Sequence, residues 1–359
     1  MTILLPRFVA ACFFCLPLVS FAATLKSDES VILFTTQAHF NALDKNWVVP
    51  VHGWIFERES DSLWRKATVK TLGKLFGLDD DRNVEQNDLF RKRAQLFLVD
   101  NQSNKDLQVR LRDQVITTEK SASNGHFYAT SLLNSASFVP APQERWLPIA
   151  LVTPPGETRQ FTGNIQLLHD NGVSVISDID DTIKISNVLD KKELMQNTFV
   201  REFVAVPAMS ALYHYWSEQG ASFHYVSASP WQLYPPLMEF LSHSGFPQGS
   251  FHMKLFRIND ESYHNLFISP IDYKVPLITE LMMQYPGRKF ILVGDSGEKD
   301  PEVYQQILRR FPGQVQHIFI RNVTKEAGTA ARYQELYKAN ERSLLTVFDD
   351  AHEILNYKL

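Results

Sequence analysis

Two hydrophobic rhythms divide the chain. From about residue 165 onward, short apolar runs alternate with stretches of helical spacing. Ser174 to Ser177, Ser222 to Val226, Phe251 to Phe256, Phe290 to Val293 and Val315 to Ile320 are strand-like. Between them lie Val204 to Gln219 with Gly220 as its stop, Pro230 to Ser244 with Gly245 after it, Pro276 to Tyr285, and Pro301 to Phe311. Continuous apolar strands separated by helices predict a parallel sheet covered on both faces, since parallel neighbours need a crossover between them. The earlier part has a different texture. Val31 to Thr35, Trp47 to Glu57, Ala94 to Asp100 and Leu107 to Arg112 are rich in β-branched and aromatic residues, and the last alternates. Asn124-Gly125, between Val115 to Glu119 and Phe127 to Leu133, predicts a hairpin. Leu63 to Leu78 has helical spacing and precedes Asp79-Asp80-Asp81. The fold class expected is therefore α/β: a Rossmann-like parallel sheet with helices on both faces over 165–325, preceded by a smaller β-rich domain over 23–164 and followed by an extension, 326–359.

The first 22 residues fit neither rhythm. Arg7 is their one charge, Val9 to Phe21 is apolar, and Ser20 and Ala22 are small residues at −3 and −1 of a cut after Ala22. The apolar run is well short of the roughly 20 residues that span a bilayer. A signal peptide over 1–22 is expected, and with it export to a periplasm or the extracellular space. Val9-Ala10-Ala11-Cys12 resembles a lipoprotein box set unusually early. Both cysteines, Cys12 and Cys15, fall in this segment. Disulfides, zinc–thiolate sites and cysteine nucleophiles are thereby excluded from a processed chain.

Composition adds two exclusions. With 44% hydrophobic and 21% charged residues the chain is globular rather than disordered. With 36 Lys plus Arg against 40 Asp plus Glu, it has no overall attraction to nucleic acid, and no nucleic-acid partner is expected.

The candidate chemistry lies at predicted strand ends. Asp178, Asp180 and Thr182 form D-x-D-x-T directly after an apolar strand. Crowded acids repel unless a cation compensates; alone, the pattern reads equally as a solvated acidic turn or helix cap. A second acidic loop, Gly294-Asp295-Ser296-Gly297-Glu298-Lys299-Asp300, follows the strand Phe290 to Val293. In open α/β sheets ligands bind beyond the carboxyl ends of strands. Two such loops together would make an oxygen-rich site suited to Mg²⁺. Between them, Ser227 at a strand end is placed to face a ligand, and Ser229 before Pro230 has the position of a helix N-cap. Lys274, near the start of the next helix, could neutralise a phosphoryl group or the carboxylates.

These motifs, in this order, resemble the haloacid dehalogenase superfamily: DIDDT at Asp178–Thr182, VSASP at Val226–Pro230, Lys274, and GDSGEKD at Gly294–Asp300. SDIDDTIKIS, VSASPWQLYPPLMEFL, FPQGSFHMKLFR and FILVGDSGEKDPEVY resemble, more narrowly, the lipin-related phosphatidate phosphatase catalytic-domain family, over about 165–325. GWIFE at Gly53–Glu57 and NGHF at Asn124–Phe127 are similar to the domain preceding it. The resemblance implies a Mg²⁺-dependent phosphatase that hydrolyses a phosphomonoester, with phosphatidate as expected substrate, diacylglycerol and phosphate as products, and an aspartyl-phosphate intermediate. It implies Asp178 as nucleophile and Asp180 as proton donor and acceptor. Asp178, Asp180 (through its carbonyl) and Asp295 would bind the metal, with Asp300 supporting that shell. Thr182, Ser227, Ser229 and Lys274 fall on the substrate side, Thr182 by fixing the loop.

Other readings remain open at this point. One keeps the chemistry on a soluble phosphomonoester; another is a non-catalytic lipid-binding module, against which both Asp178 and Asp180 stand. GDSG at Gly294–Gly297 also spells a serine-protease loop, but Glu298-Lys299 follows it, and His352-Glu353 lacks the second histidine of a zinc protease. Leu255 to Pro270, with Phe256, Tyr263, Phe267 and Ile268 beside Arg257 and His264, is suited to peripheral membrane contact. Lys184, Lys191 and Lys192 are candidates for attracting anionic lipid.

Overall fold

The computed structural model describes residues 25–57, 73, 84–136, 138–140, 144–256 and 269–359. The first part carries β1 (Glu29–Leu33), β2 (Thr36–Asn41), β3 (Asn46–Glu57), α1 (Val84–Gln95), β4 (Asp100–Asn101), β5 (Gln108–Leu111), β6 (Gln114–Thr117), β7 (His126–Asn134), β8 (Trp146–Leu151) and β9 (Thr162–Leu168). These strands form one sheet in the order β1-β3-β2-β9-β8-β5-β6, with β4 and β7 also on β3. Its pairing is antiparallel except for β2 with β9. The apolar residues of β1, Val31 and Leu33, alternate inward to a core that includes Val49, Val51, Phe127 and Ile149.

The second part carries β10 (Val173–Ser177), α2 (Lys191–Phe199), α3 (Met209–Glu218), β11 (Ser222–Pro230), a 3₁₀ turn at Trp231–Leu233, α4 (Tyr234–His243), β12 (Gly249–Lys254), α5 (Pro270–Met283), β13 (Lys289–Asp295), α6 (Asp300–Arg310), β14 (Val315–Arg321), α7 (Ala331–Leu336) and β15 (Leu345–Phe348). The sheet order is β12-β11-β10-β13-β14-β15, all parallel. Successive residues of a strand face opposite sides. Val175, Ile291, Val293 and Phe319 accordingly join the core under α3 and α4, while Ile176, Leu292, Ile318 and Ile320 join the core under α5 and α6. The chain leaves β10 toward β11 and β12, then returns to β13 on the other side. That reversal opens a crevice between the carboxyl ends of β10 and β13.

The two sheets abut. Phe34, just past β1, lies 4.2 Å by ring centroid from Trp231, and the Thr35 N–H donates to the Tyr234 hydroxyl at 3.1 Å. The Phe251 N–H donates to the Thr35 carbonyl at 3.0 Å.

The α/β architecture with a separate β-rich region is as expected, and several local readings are corrected. Ala94 to Asp100 is no strand: α1 continues through Gln95 because Phe90 and Ala94 bury against Phe199 and Val200. Gly125 does take a left-handed φ of 76°, and the Glu119 N–H donates to the Tyr128 carbonyl across the turn at 2.8 Å, but β6 and β7 form no ladder among the described residues. β6 pairs back onto β5 across a turn at Arg112, whose φ is 52°, and β7 pairs with β3, Gly53 opposite Phe127. Strand β9 straddles residue 165 and pairs in the first sheet, and β15 adds residues 345–348 to the second. The helix expected at Pro230 starts at Tyr234, after β11 has extended to Pro230. The helix expected at Pro276 starts at Pro270, where Ser269 accepts the Ile271 N–H at 3.3 Å. The signal segment, Leu63 to Leu78 apart from the helical residue Gly73, Asp79–Asp81, and residues 257–268 of the expected membrane loop, including Tyr263, Phe267 and Ile268, lie outside the described residues.

Candidate active site

The loop after β10 is built by a strand that stays in register until its last residue. The Asp178 N–H still donates to the Val293 carbonyl at 2.9 Å, which sets the Asp178 side chain at the mouth of the crevice. One carboxylate oxygen accepts from Thr182 Oγ1 at 3.0 Å and the other from Lys274 Nζ at 2.8 Å. Burial pushes the Asp178 carboxyl well above the ordinary carboxylate range, Lys274 opposes this, and the charges of Asp300, Glu298 and Asp295 add to it.

Asp180 faces a different set of groups. Lys184 Nζ lies 2.7 Å from its Oδ1, Ser186 Oγ donates to the same oxygen at 2.7 Å, and Ser229 Oγ donates to Oδ2 at 2.9 Å. Burial alone would raise this carboxyl, but Lys184 and the hydrogen bonds hold it at about 2. Asp180 is thus ionised at neutral pH. The proton-donor role expected from the resemblance needs a proton that this arrangement does not place on it. Asp181 turns away into a left-handed conformation, φ 54°. Its carboxylate accepts the backbone N–H groups of Ser186, Asn187 and Val188 at 2.6–2.9 Å, and Arg321 donates to its carbonyl at 2.7 Å. It is a clasp for the loop, which relieves part of the repulsion among the three acids.

The loop after β13 turns tightly because Gly294 carries no side chain: a Cβ there would lie 2.4 Å from Asp300 Oδ2. Asp295 Oδ1 accepts from the N–H groups of Gly297 at 2.6 Å and Glu298 at 3.1 Å, while its Oδ2 is buried with no hydrogen-bond partner. Lys274, fully buried, reaches Asp300 Oδ1 at 2.6 Å and Glu298 Oε2 at 3.2 Å as well as Asp178. Burial lowers the Lys274 ammonium, but the three carboxylates outweigh this and raise it well above its usual value. Burial and the charges of Asp300 and Glu298 raise Asp295 strongly; burial also raises Glu298 against the pull of Lys274. One ammonium against four carboxylates leaves the pocket short of positive charge.

Carboxylate oxygens of Asp178, Glu298 and Asp300 lie within 4.8 Å of one another. These carboxylates, which Lys274 bonds in this structure, and the Asp295 oxygen without a partner among the described residues are all-oxygen donors of the kind a hard divalent cation takes. Of the residues expected to hold metal, Asp178 and Asp300 converge, the Asp295 N–H donates to Asp300 Oδ2 at 3.2 Å, and Asp180, expected to act through its carbonyl, turns its side chain to Lys184. Ser229 is not a helix cap: the helix starts five residues later and its hydroxyl goes to Asp180. Ser227 is buried, accepts the Ser229 N–H at 3.0 Å, and lies 3.4 Å from Asp180. Glu298 was missed, although it stands in the same acidic loop. Lys184, read as a surface lysine, is buried beside Phe203. Arg332 was not singled out either; it holds the acidic loop by donating to the carbonyls of Ser296 at 2.8 Å and Glu298 at 3.2 Å.

Residues 173–322, which include both acidic loops, match the family described as the phosphatidate phosphatase APP1 catalytic domain. Over 156 residues, 42% of the chain, the sequence is 34% identical to phosphatidate phosphatase APP1 of Saccharomyces cerevisiae, covering 26% of that protein. Over 172 residues, 47% of the chain, it is 28% identical to an uncharacterized protein of Schizosaccharomyces pombe, covering 28% of it. The match thus spans about a quarter of the length of these curated relatives. By sequence, and with Asp178 and Lys274 gathered at one crevice, residues 173–322 are similar to the phosphatidate phosphatase APP1 catalytic-domain family.

Proposed function

We propose that the chain is a divalent-metal-dependent phosphatase, with Mg²⁺ as the metal and phosphatidate as the substrate. The observation that carries this reading is the Asp178 carboxylate. It sits at the end of a central parallel strand, oriented by Thr182 and Lys274, against a second loop whose Asp295 keeps an unpaired buried oxygen. A bound divalent ion would neutralise that excess of carboxylate and polarise phosphoryl oxygens, held by Asp178, Asp295, Glu298 and Asp300. Asp178 attacks phosphorus, and the ester bond to the alcohol breaks as the aspartyl phosphate forms. Lys274 and Ser227 stabilise the charge that shifts to the phosphoryl oxygens. The Lys184 ammonium passes a proton through Asp180 to the departing alkoxide, and the proton later taken from the attacking water restores it. Ionised Asp180 is then set to take a proton from the water that cleaves the aspartyl phosphate. A lone group could not suffice, because uncatalysed hydrolysis of such esters is slow enough that accelerations up to ~10²¹ are known.

Phosphate release from phosphatidate, lysophosphatidate and soluble phosphomonoesters, with Mg²⁺ and with chelator, tests the reading. Mg²⁺-dependent release that favours phosphatidate is expected. Release from soluble esters alone would move the substrate, and no release from any of them would remove the activity. Export is proposed on the pattern of residues 1–22, and an intact mass beginning near Ala23 on exported protein is the result expected. Among the described residues no helix is long and apolar enough to cross a membrane.

A further inference from the structure

A cavity of about 580 Å³ lies where the two sheets meet. Its walls come from both: Gln37, His52 and Tyr128 from the first sheet, and Trp231, Lys254 and Tyr273 from the second. The second set are neighbours of the catalytic motifs. Trp231 lies two positions beyond Ser229, Tyr273 immediately precedes Lys274, and Lys254 stands opposite Pro230 in the register of β11 and β12. The cavity thus shares β11 and α5 with the crevice that holds Asp178, while Asp178 itself is not among its walls.

The chemistry of the lining is mixed. Lys254 Nζ lies 5.3 Å from the centroid of the Tyr273 ring, and the Tyr273 hydroxyl is buried without a hydrogen-bond partner. Burial lowers the Lys254 ammonium, the Glu298 carboxylate raises it and the Lys274 ammonium lowers it. The rest of the wall mixes apolar side chains, Leu277 and Leu281 of α5 among them, with Gln37, Glu280 and Gln284. The histidines add no charge. His52 Nε2 pairs with His126 Nδ1 at 2.9 Å, and burial drives His52 well below its usual value and His252 to about 4. A volume of this size with an apolar body and a few convergent polar groups is that of a small-molecule site.

We infer that this cavity is the subsite for the organic group esterified to the phosphoryl, and that it takes an apolar, acyl-bearing alcohol with its polar ester end against Lys254 and Tyr273. The inference rests on the phosphatase reading. It gives the first domain a function: its sheet supplies the wall without which the subsite would be open to water.

The test is calorimetric binding of two probes, dihexanoyl phosphatidate and glycerol 3-phosphate, to full-length Asp178→Asn protein, which binds without turnover. Leu277→Trp, placed on a half-buried position of α5, fills the cavity. It is expected to lower the preference for dihexanoyl phosphatidate over glycerol 3-phosphate by about tenfold, the scale of losing burial for two or so methylenes. Gln284→Trp, at the C-cap of α5 and also lining the cavity, repeats the test should the first variant fold poorly. An unchanged ratio of affinities in the folded variants, whether both affinities hold or both fall together, would overturn the subsite. Failure of the phosphatase reading shows differently: wild-type protein would release phosphate from neither compound, and the subsite would fall with it.

Discussion

The loops after β10 and β13 use the same residue type at the same kind of place and hold it in opposite states. Asp180, after β10, is buried and yet held at about 2 by Lys184, Ser186 and Ser229. Asp295, after β13, is also buried and is pushed well above the ordinary range, with one oxygen left without a partner. Burial acts on both in the same direction. What differs is whether a dedicated cation stands beside the carboxylate. Lys184 serves Asp180 alone among the acids, whereas Lys274 is divided among Asp178, Glu298 and Asp300. The first loop carries a settled ion pair, and the second carries an unmet demand for positive charge. A metal-dependent enzyme needs both: a base that stays ionised and a donor set that is unstable without its ion.

The largest break in this comparison is Asp178→Asn, which removes the group that both loops serve. Phosphate release is expected to fall by about three orders of magnitude or more. The melting temperature should not drop, since asparagine keeps the shape and relieves buried repulsion. Near-normal release by a folded variant would dismiss Asp178 as nucleophile. Lys184→Met comes next, because it leaves Asp180 buried with no cation. Losing one partner of a buried pair costs roughly 3–5 kcal/mol. Adding Asp180→Asn to Lys184→Met should return part of that loss; if denaturant unfolding shows the two changes to be simply additive, the pair is not the unit described.

How much of this was legible follows from which interactions are local. The alternation of strands and helices after residue 173 is written in short apolar runs, and D-x-D-x-T and GDSGEKD stand at strand ends visible from sequence alone. Lys184 was misread because its burial depends on Phe203 and Asp180 closing over it, and an isolated lysine after an acidic turn looks solvated. Ser229 was misread because its cap position presumed a helix at Pro230, whereas β11 runs four residues beyond Val226, to Pro230, which pairs with Lys254 of β12. β7 was paired with β6 by proximity. Its true partner, β3, is fixed by nine matched positions from Asn46 to Trp54, a contact that no local turn announces. Glu298 was in view but unassigned, because its convergence on Lys274 comes from a helix 24 residues earlier.

Asp295→Asn sharpens the comparison from the other side. Replacing this carboxylate, whose Oδ2 has no partner among the described residues, should raise the Mg²⁺ concentration needed for half-maximal activity by about 10–100-fold, the range seen when a metal site's supporting groups are changed. An unchanged Mg²⁺ requirement would take Asp295 out of the metal set. Excess chelator should abolish activity in the parent protein and restoring Mg²⁺ should recover it.

The smallest effect is the most diagnostic of the two charge states, and it is read as stability in chelator. A carboxyl raised on folding favours the folded state while protonated; that contribution is fully present below its unfolded value, about 3.9, and is lost as pH rises through its folded value. Asp178 is such a group, so the metal-free chain should lose stability relative to Asp178→Asn as pH climbs above about 4, by up to roughly 1.4 kcal/mol for each unit separating the two values. Asp180 has the opposite sign. Held at about 2, it contributes fully above its unfolded value and its contribution is lost only as pH falls from about 4 toward 2. The buried neutral histidines, His52 and His126 among them, also destabilise the fold as pH falls, which would mask either trend in a single profile. They are common to wild type and variant, and the difference between the two melting curves cancels them. The melting temperature of Asp178→Asn minus that of wild type should therefore be near zero at pH 4, grow toward pH 8 in chelator, and shrink when Mg²⁺ is added. A difference flat with pH would mean that the Asp178 carboxylate is already balanced by Lys274, and the contrast between the two loops would reduce to one of hydrogen bonding.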